Sequence, residues 1–189
     1  MTIPKPTDGK IRAICKRYDQ DPRVRDLSAG LSMLVNAWPK NNDRAAVLLK
    51  VCAVNQLYRT SIIDVHEVAE TIFSKRTRFD KLLATGDHRA IALIRETVFN
   101  GNPRDNYSFA TKYCYIHQPS HFPIFDSRVE RSLTVLQKET GFCDRAQSEK
   151  IRKYDVFLNT LQCLRQRFSI TCSHEDLDRF LYDCGARSK

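Results

Sequence analysis

Residues 106–133, NYSFATKYCYIHQPSHFPIFDSRVERSL, form the stretch of this sequence that decides the fold. Apolar side chains recur at helical spacing through residues 107–117 on more than one face, which predicts a buried helix. Pro119 cannot continue that helix, so residues 118–125 are predicted to form a short extended crossing. Asp126 then stands where a helix N-cap belongs, ahead of a second helix with an apolar face.

Asp126 has two interpretations, and its position alone favours the simpler one, an N-cap whose carboxylate accepts a backbone N–H. The second comes from the whole phrase. An apolar helix, a crossing of pattern P-x-x-F-P-I-x-D and a helix beginning D-x-x-V resemble the closing segment of the helix-hairpin-helix DNA glycosylase superfamily, which includes endonuclease III and the 8-oxoguanine glycosylases. The resemblance is strong over residues 107–133 and weaker over roughly 40–100.

The resemblance implies a DNA glycosylase, a hydrolase that flips a damaged or modified base out of DNA and excises it, as in DNA repair. In that superfamily an Asp at this corner faces the deoxyribose, and Asp126 is the matching residue. A carboxylate beside C1′ stabilises an oxocarbenium-like transition state and can activate the attacking water. A helix N-terminus also favours the ionised form of a carboxylate. Asp126 is therefore the candidate catalytic residue.

The superfamily's bifunctional members carry a lysine that forms a Schiff base with the sugar. Matching the phrase places that lysine's position on Ser108, which cannot form an imine. The resemblance therefore implies a monofunctional enzyme. Lys112 lies one helical turn further on the same face, so either it reaches back to the position of the missing lysine or it is solvated or salt-bridged.

The superfamily's hairpin is a Gly-x-Gly turn whose backbone amides hold a DNA phosphate. Here Arg104 and Asn106 occupy the glycine positions. Asn tolerates a left-handed backbone, whereas Arg does so poorly. Either these two side chains contact phosphate in place of the amides, or the loop is merely a turn.

Further contacts with DNA are predicted at the end of the second core helix, where the superfamily places a side chain that fills the gap left by the flipped base. Gln56 and Tyr58 are the candidates for that wedge, with Asn55 facing the opposite strand and Arg59 and Arg128 as further DNA contacts. Tyr58 is equally well explained as the edge of the core.

A base pocket is predicted from Tyr113, His117 and Phe125, although aromatic residues at these spacings are more often core. No metal site is predicted, because His117 and His121 lack a convincing third ligand. The seven cysteines are scattered singly without a C-x-x-C pair, so neither an iron-sulfur cluster nor any other cofactor is expected.

The rest of the chain shows helical spacing without sustained two-residue alternation, which predicts an all-α fold of about nine to ten helices. We expect one glycosylase-like unit over 1–189, or two helical subdomains with a cleft between them, about 40–105 and the N-terminal segment plus 106–189. Several predicted boundaries matter below: a helix over 62–73 capped by Ser61, one over 88–99, one over 147–168, and a last helix ended by Gly185.

Composition limits the partners. The 189 residues carry a formal charge of +9 with a pI near 9.3, which favours a polyanionic partner such as double-stranded DNA. No signal peptide or membrane span is predicted, so we expect a cytoplasmic monomer without a membrane partner. Two rival classes stay open, namely a non-catalytic DNA-binding relative of the same fold and a helical interaction module whose charge is incidental.

Overall fold

The computed structural model describes residues 3–144 and 150–187 and confirms the predicted all-α class. That part of the chain forms ten helices and two short strands. The helices are α1 (Asp8–Gln20), α2 (Pro22–Ala37), α3 (Arg44–Tyr58), α4 (Val65–Ser74), α5 (Arg76–Ala84), α6 (Arg89–Arg95), α7 (Tyr107–His117), α8 (Ser127–Thr140), α9 (Tyr154–Phe168) and α10 (His174–Arg187). The strands are β1 (Glu96–Phe99) and β2 (Asn102–Asp105).

Contacts divide the chain into two units. The middle unit is Asp26–Ile124, and the terminal unit combines Met1–Arg25 with Phe125–Lys189. Helix α7, which the sequence places in the same subdomain as residues 118–189, packs on α3 and α6 and so lies in the middle unit. The middle unit is therefore longer than the predicted 40–105 segment.

The middle unit is built around α3, which packs against α4 and α7. Val47, Val51 and Val54 of α3 are fully buried, as the apolar character of this helix on nearly every side requires. Phe109 and Tyr113 of α7 join the same core. Burial of α7 on several faces agrees with its predicted apolar circumference.

In the terminal unit, α10 packs on both α8 and α1. The prediction that Gly185 ends the last helix is wrong, because Gly185 lies inside α10 and is buried against α8. A Cβ at Gly185 would overlap the carbonyl oxygen of Arg128, so only glycine permits this approach. Beside it, the Ser132 hydroxyl donates to the Leu181 carbonyl at 2.6 Å.

The predicted helix over 88–99 is also wrong in its second half. Helix α6 stops at Arg95, and β1 then pairs antiparallel with β2, with Glu96 opposite Asp105. Asn100 and Gly101 connect the strands with φ values of 49° and 74°. An Asn-Gly pair with both residues at positive φ is the preferred two-residue turn of a β-hairpin.

Two helix starts also differ from prediction. Asp64, not Ser61, caps α4, because its carboxylate accepts the Glu67 N–H at 3.0 Å. Helix α9 begins at Tyr154 rather than 147, and residues 147–149 of that prediction lie outside the described residues.

Candidate functional site

Asp126 caps α8, as its position predicts. Its carboxylate accepts the backbone N–H of Arg128 at 2.8 Å, and its backbone is extended with φ −142°. The residue is half-buried, so the carboxylate remains accessible to solvent. The neighbouring Arg128 is exposed, and its guanidinium lies 4.5 Å from the centre of the Tyr182 ring.

The crossing before Asp126, predicted to be extended over residues 118–125, begins instead with a turn at residues 119–121, where the His121 and Phe122 N–H groups donate to the Gln118 carbonyl. Residues 119–126 contain no helix or strand, and Phe122, Ile124 and Phe125 are all buried. Buried apolar side chains therefore lie on both sides of Pro123, and their packing restricts the backbone that leads to Asp126.

Lys112 does reach back to Ser108. Its ammonium donates to the Ser108 hydroxyl oxygen at 2.7 Å and lies 6.0 Å from the centre of the Tyr58 ring. Lys112 is only 3% exposed. The amine is therefore hydrogen-bonded to Ser108 and shielded from solvent.

Ser108 lines a cleft of about 270 Å³ in the middle unit. Four segments form its walls: the loop between α3 and α4, the first turn of α4, the β-hairpin, and the first turn of α7. The polar groups that line the cleft are hydroxyls, an amide and carboxylates, together with the guanidinium of Arg104. Ile63 and Val98 lie on two different walls and are 61% and 51% exposed, so the cleft has an apolar rim.

The loop between α3 and α4 is held by Asn55. The Asn55 side-chain oxygen accepts the Thr60 hydroxyl and the Ile62 N–H, both at 2.9 Å, while its side-chain nitrogen donates to the Ile62 carbonyl at 3.3 Å. Arg59 and Ser61 adopt positive φ values of 51° and 60° within this loop. Such backbone is costly for residues other than glycine and persists where the surroundings fix it. The Asn55 amide therefore shapes the loop, and its predicted contact with the opposite DNA strand stays a prediction.

The other residues of that segment differ in accessibility. Gln56 and Arg59 are exposed, and Arg59 ends α3 in the left-handed conformation. Tyr58 is half-buried beneath Lys112, which favours its interpretation as the edge of the core over that of a wedge. Ile63, which the sequence does not single out, is an exposed apolar side chain in the same loop.

Arg104 and Asn106, the two predicted phosphate contacts, differ in their surroundings. Arg104 lies in β2 opposite Thr97 and is exposed, with its guanidinium 6.0 Å from the centre of the Phe99 ring. Asn106 donates from its side chain to the Thr97 hydroxyl at 2.7 Å and from its backbone to the Arg95 carbonyl at 2.8 Å. Asn106 therefore fastens the base of the hairpin, and Arg104 is the member of the pair that faces solvent.

Two of the three residues of the predicted base pocket, Tyr113 and Phe125, are buried in a core, whereas His117 is half-buried. Tyr113 is fully buried and donates its hydroxyl to the Asn41 side-chain oxygen at 2.7 Å. The His117 ring lies 5.4 Å from that of Tyr113. Phe125 is 5% exposed and meets Phe157 edge to face at 5.4 Å.

The described residues contain no cluster of potential metal ligands. Within residues 3–144 and 150–187, no group of three or more His, Cys, Asp and Glu side chains could hold a metal ion. Among the helices of these residues, none combines the length and the hydrophobicity of a membrane span.

Comparison with known proteins gives a family. Residues 10–121 match the model of HI_0787_N, which is described as an N-terminal domain, and this match covers more than half of the 189 residues. The chain belongs to the HI_0787_N family. The matched HI_0787_N residues include Ser108, Lys112 and every wall of the cleft, and they end before Asp126.

A relative of this HI_0787_N chain is named only as an uncharacterized protein of Haemophilus influenzae (strain ATCC 51907 / DSM 11121 / KW20 / Rd). It is 34% identical over 139 residues, which cover 74% of the chain and 66% of the relative. The aligned part of the chain thus spans just under two thirds of the relative's length. No solved structure matches the chain.

Proposed function

We propose that this protein is a monofunctional DNA glycosylase, a divergent member of the helix-hairpin-helix superfamily. It hydrolyses the N-glycosidic bond of a damaged or modified base that is flipped out of double-stranded DNA. Asp126 stabilises the oxocarbenium-like sugar and activates the attacking water. The observation that carries the proposal is a solvent-accessible carboxylate fixed at the first turn of α8, directly after a buried crossing.

The position of Asp126 supports this chemistry in two ways. The hydrogen bond from the Arg128 N–H fixes the side chain in one orientation, and preorganisation is what makes a charge effective against a developing cation. The Asp126 side chain also stands at the N-terminal end of α8, where the helix dipole is positive and interacts favourably with negative charge.

Contacts with DNA are assigned to side chains, because a β-hairpin stands where the superfamily has a glycine turn. Arg59 and Arg104 are both exposed, and Arg104 lines the cleft whose rim carries Ile63 and Val98. Guanidinium groups contact phosphates, and exposed aliphatic side chains can enter a disturbed base stack. This combination supports a duplex opened at one base as the partner. The proposed location is the cytoplasm, where the seven free cysteines stay reduced.

The test is base release from a panel of duplexes that each contain one modified base, read out by alkaline cleavage at abasic sites. Asp126→Asn is the deciding variant, because Asn is an equally good N-cap and leaves α8 capped. We expect its rate of base release to fall by on the order of a hundredfold or more, with DNA affinity retained.

The matched control is Asp43→Asn. Asp43 caps α3 through the Ala46 N–H at 2.8 Å and lies outside the cleft, so its replacement removes a capping carboxylate without touching the proposed site. We expect wild-type rates. Binding of DNA without base release from any duplex would favour the non-catalytic relative, and absence of DNA binding would favour the helical interaction module.

A further inference from the structure

The middle unit contains a lysine with no exposed surface. Lys50 of α3 is 0% exposed, and its ammonium donates to the carbonyl oxygens of Trp38 and Lys40 at 3.2 and 3.1 Å. It also donates to the side-chain oxygen of Asn41 at 2.8 Å. These three oxygens, here called the oxygen cage, all come from residues 38–41, the connection between α2 and α3.

The cage is enclosed by groups from two further helices. From α7, the Tyr113 hydroxyl donates to the Asn41 oxygen at 2.7 Å, and the Nε2 of His117 lies 3.5 Å from the Lys50 ammonium. From α5, the Asp80 carboxylate accepts the backbone N–H of Asn41 at 3.0 Å and its side-chain N–H at 2.6 Å. Asn41 is itself 0% exposed.

Burial and neighbouring charges shift the pKa values of Lys50 and His117. Burial lowers the pKa of Lys50 to about 8, although the Asp80 carboxylate opposes that shift. Burial, together with the Lys50 charge, lowers the pKa of His117 to about 3, so the imidazole is neutral beside the ammonium at pH 7. The amine is therefore the one cation among the named groups that face the cage.

The connection at 38–41 depends on donors from outside. Its carbonyl oxygens are turned inward, and a buried carbonyl without a hydrogen bond is costly. Pro39 has no N–H and cannot support a local turn by donating one. Lys50 supplies hydrogen bonds to three oxygens at once, which a neutral aliphatic side chain cannot do.

We propose that the oxygen cage is a cation-binding site for a primary ammonium group, which the protein fills with its own Lys50, and that the bound ammonium fixes residues 38–41 against α7. The ligand class is a primary alkylammonium ion, since the three oxygens match its three N–H donors. Lys50 is accordingly a positioning residue for α7, the helix that carries Ser108 and Lys112, and not a catalytic one.

The first test empties the cage. Lys50→Ala removes the atoms of n-propylammonium, so adding n-propylammonium chloride should raise the melting temperature of this variant by several degrees in a saturable way. The wild-type protein should not respond, and neither should the variant treated with 1-propanol or tetramethylammonium, which lack either the charge or the donors. A variant that n-propylammonium does not stabilise beyond these two controls overturns the proposal.

The second test does not need that variant to fold. Trp38 is the single tryptophan of the chain, and its carbonyl oxygen is one of the three acceptors of the cage. We expect its fluorescence in the wild-type protein to change in one step centred near pH 8, as the ammonium loses a proton. Asp80→Asn, which removes the carboxylate that raises the pKa of the amine, should move that step to lower pH. A wild-type protein without such a step, or a step that Asp80→Asn leaves in place, contradicts the proposal.

Discussion

His117 is packed between Lys50 and Tyr113, and its pKa is lowered to about 3 from an ordinary value of 6.5. The unfolded chain therefore binds a proton between pH 6.5 and pH 3 that the folded chain does not bind. Stability is fully present above pH 6.5 and falls as the pH drops through that window, by up to about 1.4 kcal/mol for each pH unit.

We expect His117→Gln to flatten this acid-side loss, measured as the free energy of unfolding in urea between about pH 7 and pH 4. His66 is exposed, so His66→Gln is the matched control and should leave the slope unchanged. An equal slope in the wild-type protein and in His117→Gln would show that other groups set the acid sensitivity.

Lys112 gives a prediction about the class of glycosylase. Lys112 is 3% exposed and its amine is hydrogen-bonded to Ser108, so the amine is not available to attack a sugar carbon. We expect borohydride to trap no covalent complex with a substrate duplex, and strand cleavage to appear only after alkali. A trapped complex that disappears in Lys112→Arg would instead assign a Schiff base to this residue.

Single residues are predictable from sequence where their role is local. The cap at Asp126 depends on a bond to a residue two positions away, so the phrase around it is sufficient. Tyr113 cannot be assigned in this way, because its hydroxyl bonds to Asn41, which lies 72 residues earlier. The role of Asn55 in fastening the loop is not predictable for a related reason: this loop has positive φ values at Arg59 and Ser61 that residue types alone do not indicate.

At the scale of elements, Gly185 sets how closely α10 approaches α8. We expect Gly185→Ala to lower the free energy of unfolding by about 1–3 kcal/mol, since the added methyl group meets the Arg128 backbone and neither helix can move without disturbing its core. Denaturation in urea measures the change.

Gly30→Ala is the control for that substitution. Gly30 lies within α2, and a methyl group added there would meet no other segment within 4 Å, so alanine should stabilise the helix by about 0.5–1 kcal/mol. If Gly185→Ala lowers the free energy of unfolding and Gly30→Ala raises it, the loss at Gly185 comes from packing and not from helix propensity. Equal effects would mean that the α8–α10 contact is looser than its geometry indicates.

Helices are predictable because each carries its own apolar period, whereas the β-hairpin is missed. Residues 96–99 continue an apolar spacing that also fits a helix, and four residues are too few to show a two-residue period clearly. The informative signal is the Asn100–Gly101 pair, which is present in the sequence and marks a hairpin turn. Gly185 is misread because a glycine near the end of a helical pattern usually marks a C-terminal cap.

For the whole molecule, the charge of +9 gives a prediction about binding rather than fold. We expect the association constant for duplex DNA to fall linearly with salt on a double logarithmic scale. Arg59→Ala and Arg104→Ala should each reduce the slope by about 1 if each contacts one phosphate.

Arg89→Ala is the control for the slope, because Arg89 is exposed in the same unit but is already held by the Asp87 carboxylate at 2.5 Å. It should leave the slope unchanged. Slopes that respond equally to all three substitutions would point to diffuse attraction without a defined contact face. Composition can predict a polyanionic partner. It cannot predict which arginines form ion pairs with nearby carboxylates, as Arg89 does, because those pairs depend on the folded structure.

The two units differ in their continuity along the chain. The middle unit is one continuous segment, whereas the terminal unit joins both ends, with α1 packed on α10. On the ribosome, α1 emerges well before its partner α10, so the apolar side chains of α1 stay uncovered while the residues between these two helices are synthesised. The middle unit can complete its own contacts much earlier. A stalled or prematurely released polypeptide would therefore contain a folded middle unit and an α1 whose apolar side chains are exposed. Chaperones bind nascent chains of this kind.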